Sequence, residues 1–309
     1  MSQSPEARAD LEETDRSGQT ALVTGSTNGI GRAAARALGR LGADVLVHGR
    51  EPSAGESLVE ELTDLGVQAT FVQADFADPA SVGALAETAQ DWCDGLDLLF
   101  NNAGALFQAG DRAPTGIERT FQVNHLAPYL LTAQLLDHLR DGARIITTAS
   151  DAHRGAALNL ERVRESDPFS GMEAYSHSKL ANILFASELA RRLDATGRAV
   201  RSHSVHPGFV PGSQFGRFLP GPLSSLFRML GVVPGTASVA DGAAELLHAA
   251  LSPDAAETSG RYFTGRAPVE PSSAARDADA AARLWTRSAE MLDMAEPLAD
   301  ARSRSSVQS

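Results

Sequence analysis

Apolar positions along this chain fall into two alternating patterns. Short runs are apolar almost throughout: ALVTG (21–25), DVLVHG (44–49), QATFVQAD (68–75), LDLLFNNAG (96–104), ARIITTAS (143–150), VRSHSVHPG (200–208) and RYFTG (261–265). Between them, apolar residues recur every three or four positions, which predicts helices over 31–41, 53–66, 79–92, 115–139, 173–193 and 235–251. Pro79 suits a helix start and Gly66 a helix end. The short runs do not alternate polar with apolar, as expected of parallel strands covered on both faces. Parallel neighbours need right-handed crossovers, and the helical segments supply them. The pattern predicts an α/β fold: one domain, doubly wound, with a parallel sheet of about seven strands and helices on both faces. Ligands on such a sheet bind beyond the carboxyl ends of the strands, near the switch in strand order. Residues just after the strands are therefore the candidates for chemistry.

Composition narrows the field. The chain has 309 residues, 43% apolar and 21% charged, with a formal charge of −12. That acidity disfavours nucleic acid and anionic membranes as partners. A single cysteine, Cys93, allows no internal disulfide and no cysteine-rich metal site. No run of about 18 apolar residues occurs, so no membrane anchor is expected. The first 20 residues are polar and acidic, unlike a signal peptide, and the expected compartment is the cytoplasm. Residues 1–18 read as a disordered acidic tail and 296–309 as a polar tail, flanking one domain over 19–295. Of the 27 basic residues, all but Lys179 are arginine.

The first strand ends in Thr24-Gly25-Ser26-Thr27-Asn28-Gly29-Ile30-Gly31. Gly25 permits a tight turn, Gly29 lets a pyrophosphate approach the backbone, and Gly31 lets the helix pack closely on the strand. The alternative is a structural turn, since many strand–helix turns are glycine-rich. After the second strand, Gly49 stands where NAD sites place a carboxylate, and Arg50 follows. A guanidinium suits a 2′-phosphate that a carboxylate would repel, so NADP(H) is favoured over NAD(H). Asp75, with Phe76 beside it, could hold the adenine amino group, or serve as a helix cap. Asn102, Ala103 and Gly104, after the fourth strand, leave room for a ribose, while Asn101 fits a structural tie.

Tyr175 and Lys179 lie four residues apart in the segment 173–193, on one helix face. A free phenol titrates at about 10, too high for a base at neutral pH. An adjacent ammonium lowers that value, and a nicotinamide cation would lower it further. Such a tyrosine can give or take the proton of a carbonyl/alcohol pair. The chain's one lysine stands where that chemistry needs it, although a chance pair on an exposed face has the same spacing. His153, His177 and His206 lack metal-site spacing and read as structural; no metal is expected.

With TGSTNGIG, NNAG, Asn124, Ser150, YSHSK and HPG in order, the chain resembles the short-chain dehydrogenase/reductase family in its single-domain Rossmann form. The stretches 144–153, 174–193 and 259–285 resemble its retinol-dehydrogenase-like branch. The resemblance implies Tyr175 as general acid/base, Lys179 lowering its pKa and binding the nicotinamide ribose, and Ser150 donating to the substrate oxygen. It implies Asn124 positioning a water that links Lys179 to solvent. It places Pro207 and Gly208 against the nicotinamide, with Val210 contacting the carboxamide. Ser213 replaces the family's usual phosphate-contacting threonine. A homodimer or homotetramer is expected by resemblance alone. The stretch 209–234, rich in Phe and Leu, is expected as a lid for a lipophilic carbonyl compound or alcohol, or else as packing surface. Two other classes compete. A non-catalytic NADP(H)-sensing regulator would usually lose the Tyr/Lys pair. A sugar-nucleotide epimerase would favour another glycine spacing.

Overall fold

The computed structural model describes residues 3–165, 169–210 and 237–299. The lid stretch lies outside them, apart from Phe209, Val210 and its flank from 237 on. Six parallel strands form the body of the sheet: β1 (Thr20–Val23), β2 (Asp44–Gly49), β3 (Ala69–Gln73), β4 (Leu96–Asn101), β5 (Leu139–Thr148) and β6 (Arg201–Val205). β7 (Tyr262–Thr264) pairs parallel to β6, and β8 (Ala267–Val269) pairs antiparallel to β7. The order is β3-β2-β1-β4-β5-β6-β7-β8, so the chain reverses direction across the sheet between β1 and β4. Ala21 pairs with both Val45 and Leu98, which puts β1 at the centre.

The sheet has eight strands rather than about seven. Gly265 (φ +63°) and Arg266 (φ +58°) make a two-residue left-handed turn, which reverses the chain into a three-residue edge strand. Pro268 breaks the apolar pattern there, and an edge strand tolerates it.

Helices cover both faces. α2 (Gly29–Arg40), α3 (Pro52–Asp64) and α8 (Val239–Leu251) bury Leu38, Leu58, Leu62 and Leu246 against one face. α4 (Pro79–Trp92), α6 (Ala127–Leu135) and α7 (Gly171–Ala195) bury Leu85, Leu131 and Phe185 against the other. α9 (Ala278–Met291) packs Leu284 in a third cluster with Leu180 and Leu184 of α7. A capping box fixes the start of α7, with Ser170 and Glu173 each bonding the other's backbone.

The helix expected over 115–139 is shorter and irregular. Buried Glu118 accepts the backbone N–H groups of Thr120 (2.8 Å) and Phe121 (2.7 Å), so helical structure begins at α5 (Arg119–Phe121). A π-helical turn follows over Gln122–Leu126, leading into α6. Pro128 has no N–H to offer the Asn124 carbonyl, so the regular ladder breaks there.

The N-terminal segment also departs from the disordered-tail reading. α1 (Pro5–Arg8) packs on the body. Ala9 and Leu11 are buried, Glu6 pairs with Arg40, and Arg8 pairs with Asp241 of α8. At the other end Glu296 accepts from Arg192 (2.6 Å), and the Pro297 carbonyl accepts from Trp285 (3.1 Å).

Candidate active site

The carboxyl ends of β1 to β6 open into one cavity of about 750 Å³. It brings together Gly25, Thr27, Asn28, Gly29, Ile30 and Gly31 after β1, Arg50 after β2, and Asp75 and Phe76 after β3. Asn102, Ala103 and Gly104 follow β4, Ser150 follows β5, and Pro207, Gly208 and Val210 follow β6. Tyr175 and Lys179 reach in from α7. Ser26 and Asn124 do not line it. Ser26 is fully buried and ties the turn to β2, its hydroxyl meeting the His48 N–H at 3.1 Å.

At the β1 end the constraints are steric. Gly25 (φ +66°) and Gly29 (φ +56°) hold left-handed backbone. A side chain at Gly29 would meet open space, whereas a Cβ at Gly31 would stand 2.4 Å from the Gly25 carbonyl oxygen and 2.5 Å from Asn102 Nδ2. Asn102 Nδ2 donates to the Thr24 carbonyl (2.9 Å), and Thr24 Oγ1 accepts the N–H groups of Asn102 and Ala103 (3.0 Å each). These bonds stitch the ends of β1 and β4 together where the strand order reverses. A Cβ at Gly49 would stand 2.3 Å from Thr27 Cγ2, so a carboxylate side chain has no room there unless Thr27 moves. One Asp75 oxygen accepts the Ala77 N–H (3.0 Å) in a local turn, and Asp78, not Asp75, caps α4.

At the β5 end, the Ser150 hydroxyl shares the cavity with the Tyr175 phenol and lowers its pKa. Lys179 Nζ lies 5.5 Å from the centroid of the Tyr175 ring and donates to the Thr148 carbonyl (2.8 Å). Burial pushes the Tyr175 phenol up to about 12, with Ser150 pulling the other way, and the same burial pushes the Lys179 amine down to about 8. Sequence spacing pointed to two cations that lower the phenol's pKa, the ammonium and a nicotinamide; in the fold desolvation is the largest influence, and it favours the protonated, proton-donating form.

Asn124 sits in the π-helical turn, fully buried behind the wall. Its Oδ1 accepts the Ala105 N–H (2.8 Å), and its Nδ2 donates to the Ala105 carbonyl (2.9 Å) and to Ser178 Oγ (2.9 Å). A Cβ at Gly104 would stand 3.2 Å from Asn124 Oδ1 and 3.4 Å from Lys179 Nζ, so both residues border the space that the absent side chain leaves.

His48 and Asp151, both on the wall, escaped the sequence reading, whereas His206 on the wall and His153 behind it are among the histidines it read as structural. His48 accepts the Gly25 N–H at Nδ1 (3.1 Å), which leaves its Nε2 to donate to the Ala74 carbonyl (3.2 Å). It is neutral, because burial pushes its pKa down to about 4, and it stacks on Phe76 with centroids 4.5 Å apart. Its only signal in sequence was a polar residue at a strand end. His153 accepts the Ser272 N–H at Nε2 (3.0 Å), so its Nδ1 donates to the Ser150 carbonyl (2.7 Å). Asp151 and His206 also line the cavity. No cluster of metal-ligating side chains occurs among the described residues.

A family model for short chain dehydrogenases matches residues 19–217. The chain belongs to the short-chain dehydrogenase family. It is 36% identical over 281 residues to mouse retinol dehydrogenase 12, covering 89% of this chain and 86% of that one. It is 37% identical over 276 residues to mouse polyprenol dehydrogenase, covering 87% and 82%. A short-chain dehydrogenase from Burkholderia cenocepacia, solved in complex with NADP, superposes with a TM-score of 0.64 at 30% identity, covering 84% of this chain and 98% of that one. Within the family the chain falls in the retinol-dehydrogenase-like branch and is an oxidoreductase acting on CH–OH donors. Among the described residues no helix is long and apolar enough to cross a membrane.

Proposed function

We propose that this short-chain dehydrogenase uses NADP(H) to interconvert a lipophilic ketone or aldehyde with its alcohol, with Tyr175 as general acid and base. The observation that carries the proposal is the joining of Tyr175, Ser150 and Lys179 in one cavity with the glycine turn after β1. The cofactor supplies or accepts the hydride. The residues present fit it: open space over Gly29, close backbone at Gly31, and Arg50 on the wall where a 2′-phosphate would lie. Gly49 favours NADP(H) over NAD(H), because the Thr27 side chain fills the place a ribose-binding carboxylate would need. The Burkholderia relative with bound NADP points the same way.

In the reducing direction, Ser150 holds the substrate oxygen beside the phenol, and Tyr175 releases its proton to that oxygen as negative charge develops there. The buried Lys179 ammonium stabilises the phenolate left behind and binds the nicotinamide ribose. Asn124 acts from behind, holding the Ala105 backbone and Ser178 next to the cavity. Leu106, Phe107, Met172 and Phe209 give the substrate end an apolar lining, and the retinol and polyprenol relatives are named for alcohols with long hydrocarbon skeletons. A homodimer or homotetramer follows from the family resemblance and is checked by light scattering.

The test is oxidation of NADPH and of NADH across a panel of ketones and aldehydes. The proposal expects NADPH and the more apolar carbonyls to turn over best. Preference for short polar carbonyls would overturn the lipophilic assignment. No turnover with NADPH bound would overturn the activity itself and favour a cofactor-sensing role.

A further inference from the structure

Among the described residues the apolar lining at Leu106, Phe107, Met172 and Phe209 is joined by the polar side chains of Ser150, Asp151, Tyr175 and His206. Asp151, one residue beyond Ser150, stands on the same wall as Leu106, Phe107, Met172 and Phe209. Its side chain is 47% exposed. Among the described residues the other acid on the cavity wall is Asp75, which follows β3.

The Asp151 carboxylate is held rigidly but only on one side. Oδ1 accepts from the Tyr262 hydroxyl (3.0 Å) and from Arg154 Nε (3.1 Å). Among the described residues Oδ2 accepts no hydrogen bond, and His206 Nε2 stands 3.8 Å away, beyond hydrogen-bond length. The turn that carries Asp151 is clamped by His153 between the Ser150 carbonyl and the Ser272 N–H, so it cannot swing away from an incoming ligand.

An apolar group closing over that oxygen strips its water and gives nothing back, which is unfavourable for an ionised carboxylate. A donor on the ligand replaces the water and gains a charge-assisted hydrogen bond. We propose that Asp151 is a specificity-determining residue: it selects substrates whose otherwise apolar skeleton carries a hydrogen-bond donor, a hydroxyl or an ammonium group, close to the reacting carbonyl. The inference rests on the carbonyl reductase reading above and names the substrate class for that site.

The experiment measures kcat/KM with NADPH for three matched ketones: an aryl alkyl ketone, the same ketone with a hydroxyl beside the carbonyl, and the same with an ammonium group there. Each donor-to-plain ratio is compared between wild type and Asp151→Asn, so the intrinsic reactivity of the ketones cancels. The expected result is a fall in the ratio of about tenfold or more for the hydroxyl ketone, and a larger fall for the ammonium ketone. Tyr262→Phe keeps the carboxylate and is expected to keep the preference. Asp151→Ser is a second route to the same comparison should the Asn variant fail to bind NADPH. Equal ratios in wild type and an Asp151 variant that binds NADPH would overturn the assignment. Absence of turnover for all three ketones in NADPH-loaded wild type would overturn the underlying reductase reading instead.

Discussion

The two ends of the cavity are built on different principles. At the end formed by β1, β2 and β3 the wall is mostly backbone, and its shape is set by what is missing: side chains at Gly25, Gly29, Gly31 and Gly49. The bonds that brace it join neighbouring strand ends, Thr24 to Asn102 and His48 to Gly25. At the β5 end the wall is made of side chains, and two of its braces come from more than a hundred residues along the chain, Tyr262 to Asp151 and Ser272 to His153. At Gly25, Gly31 and Gly49 the first end has no room for an added side chain. The second tolerates changes of shape but depends on directed hydrogen bonds. A backbone cradle recognises what every member of a cofactor class shares, whereas a side-chain wall can be retuned for one substrate.

The largest effect is expected at the cradle. Gly31→Ala forces a methyl group against the Gly25 carbonyl and Asn102, both part of the strand stitching. NADPH binding should fall below detection by fluorescence titration. Binding within a few-fold of wild type would show the cradle to be softer than described.

Lys179→Met separates function from stability. Burial makes the Lys179 ammonium unfavourable in the folded chain, and the Thr148 carbonyl keeps a partner in Asn182 Nδ2 (3.0 Å) when the lysine is lost. Turnover should drop by about a hundredfold or more, while the cofactor-free protein gains up to about 3 kcal/mol, read as a higher Tm. The pH dependence supplies a second check. Lys179 titrates at about 8 when folded against 10.5 when free, so between those values the unfolded chain binds more protons. Wild-type stability should therefore rise with pH across that window, and the variant should lack the rise. A lower Tm for Lys179→Met would contradict this.

A smaller effect belongs to the brace on Ser150. His153→Phe keeps a ring but removes both of its hydrogen bonds. We expect kcat to fall about tenfold through misplacement of Ser150, with NADPH affinity retained. The high-pH limb of the rate profile should move upward, because Ser150 holds the Tyr175 pKa down. A change in Tm alone would reduce His153 to a packing residue. The smallest effect is at Arg50, which lies on the cavity rim. Arg50→Ala should cost NADPH about tenfold more affinity than NADH; equal losses would remove Arg50 from the 2′-phosphate site.

Much of this was legible in sequence for a physical reason. Parallel strands buried on both faces leave continuous apolar runs, and glycines needed for left-handed turns or close approach leave fixed spacings. Hence β1 to β7 and the turn at Gly25, Gly29 and Gly31 could be read directly. Features set by tertiary contact could not. The eighth strand depends on a left-handed pair at Gly265 and Arg266 and ends in a short, proline-bearing edge. The start of α5 depends on a buried Glu118 outcompeting helix propensity. The packing of α1 depends on ion pairs to residues far along the chain. For Tyr175, spacing showed its lysine neighbour, but only the fold shows that Lys179 is buried and Tyr175 half-buried at the cavity wall. His153 and Asp151 were invisible as a pair because their partners, Ser272 and Tyr262, lie more than a hundred residues away.

The whole account turns on the Tyr175 hydroxyl, and Tyr175→Phe removes it while keeping the ring over Lys179. NADPH titration and ketone turnover, measured on the same preparation, decide the matter. The account predicts unchanged NADPH affinity with turnover reduced by about a hundredfold or more. Turnover at the wild-type rate would contradict it.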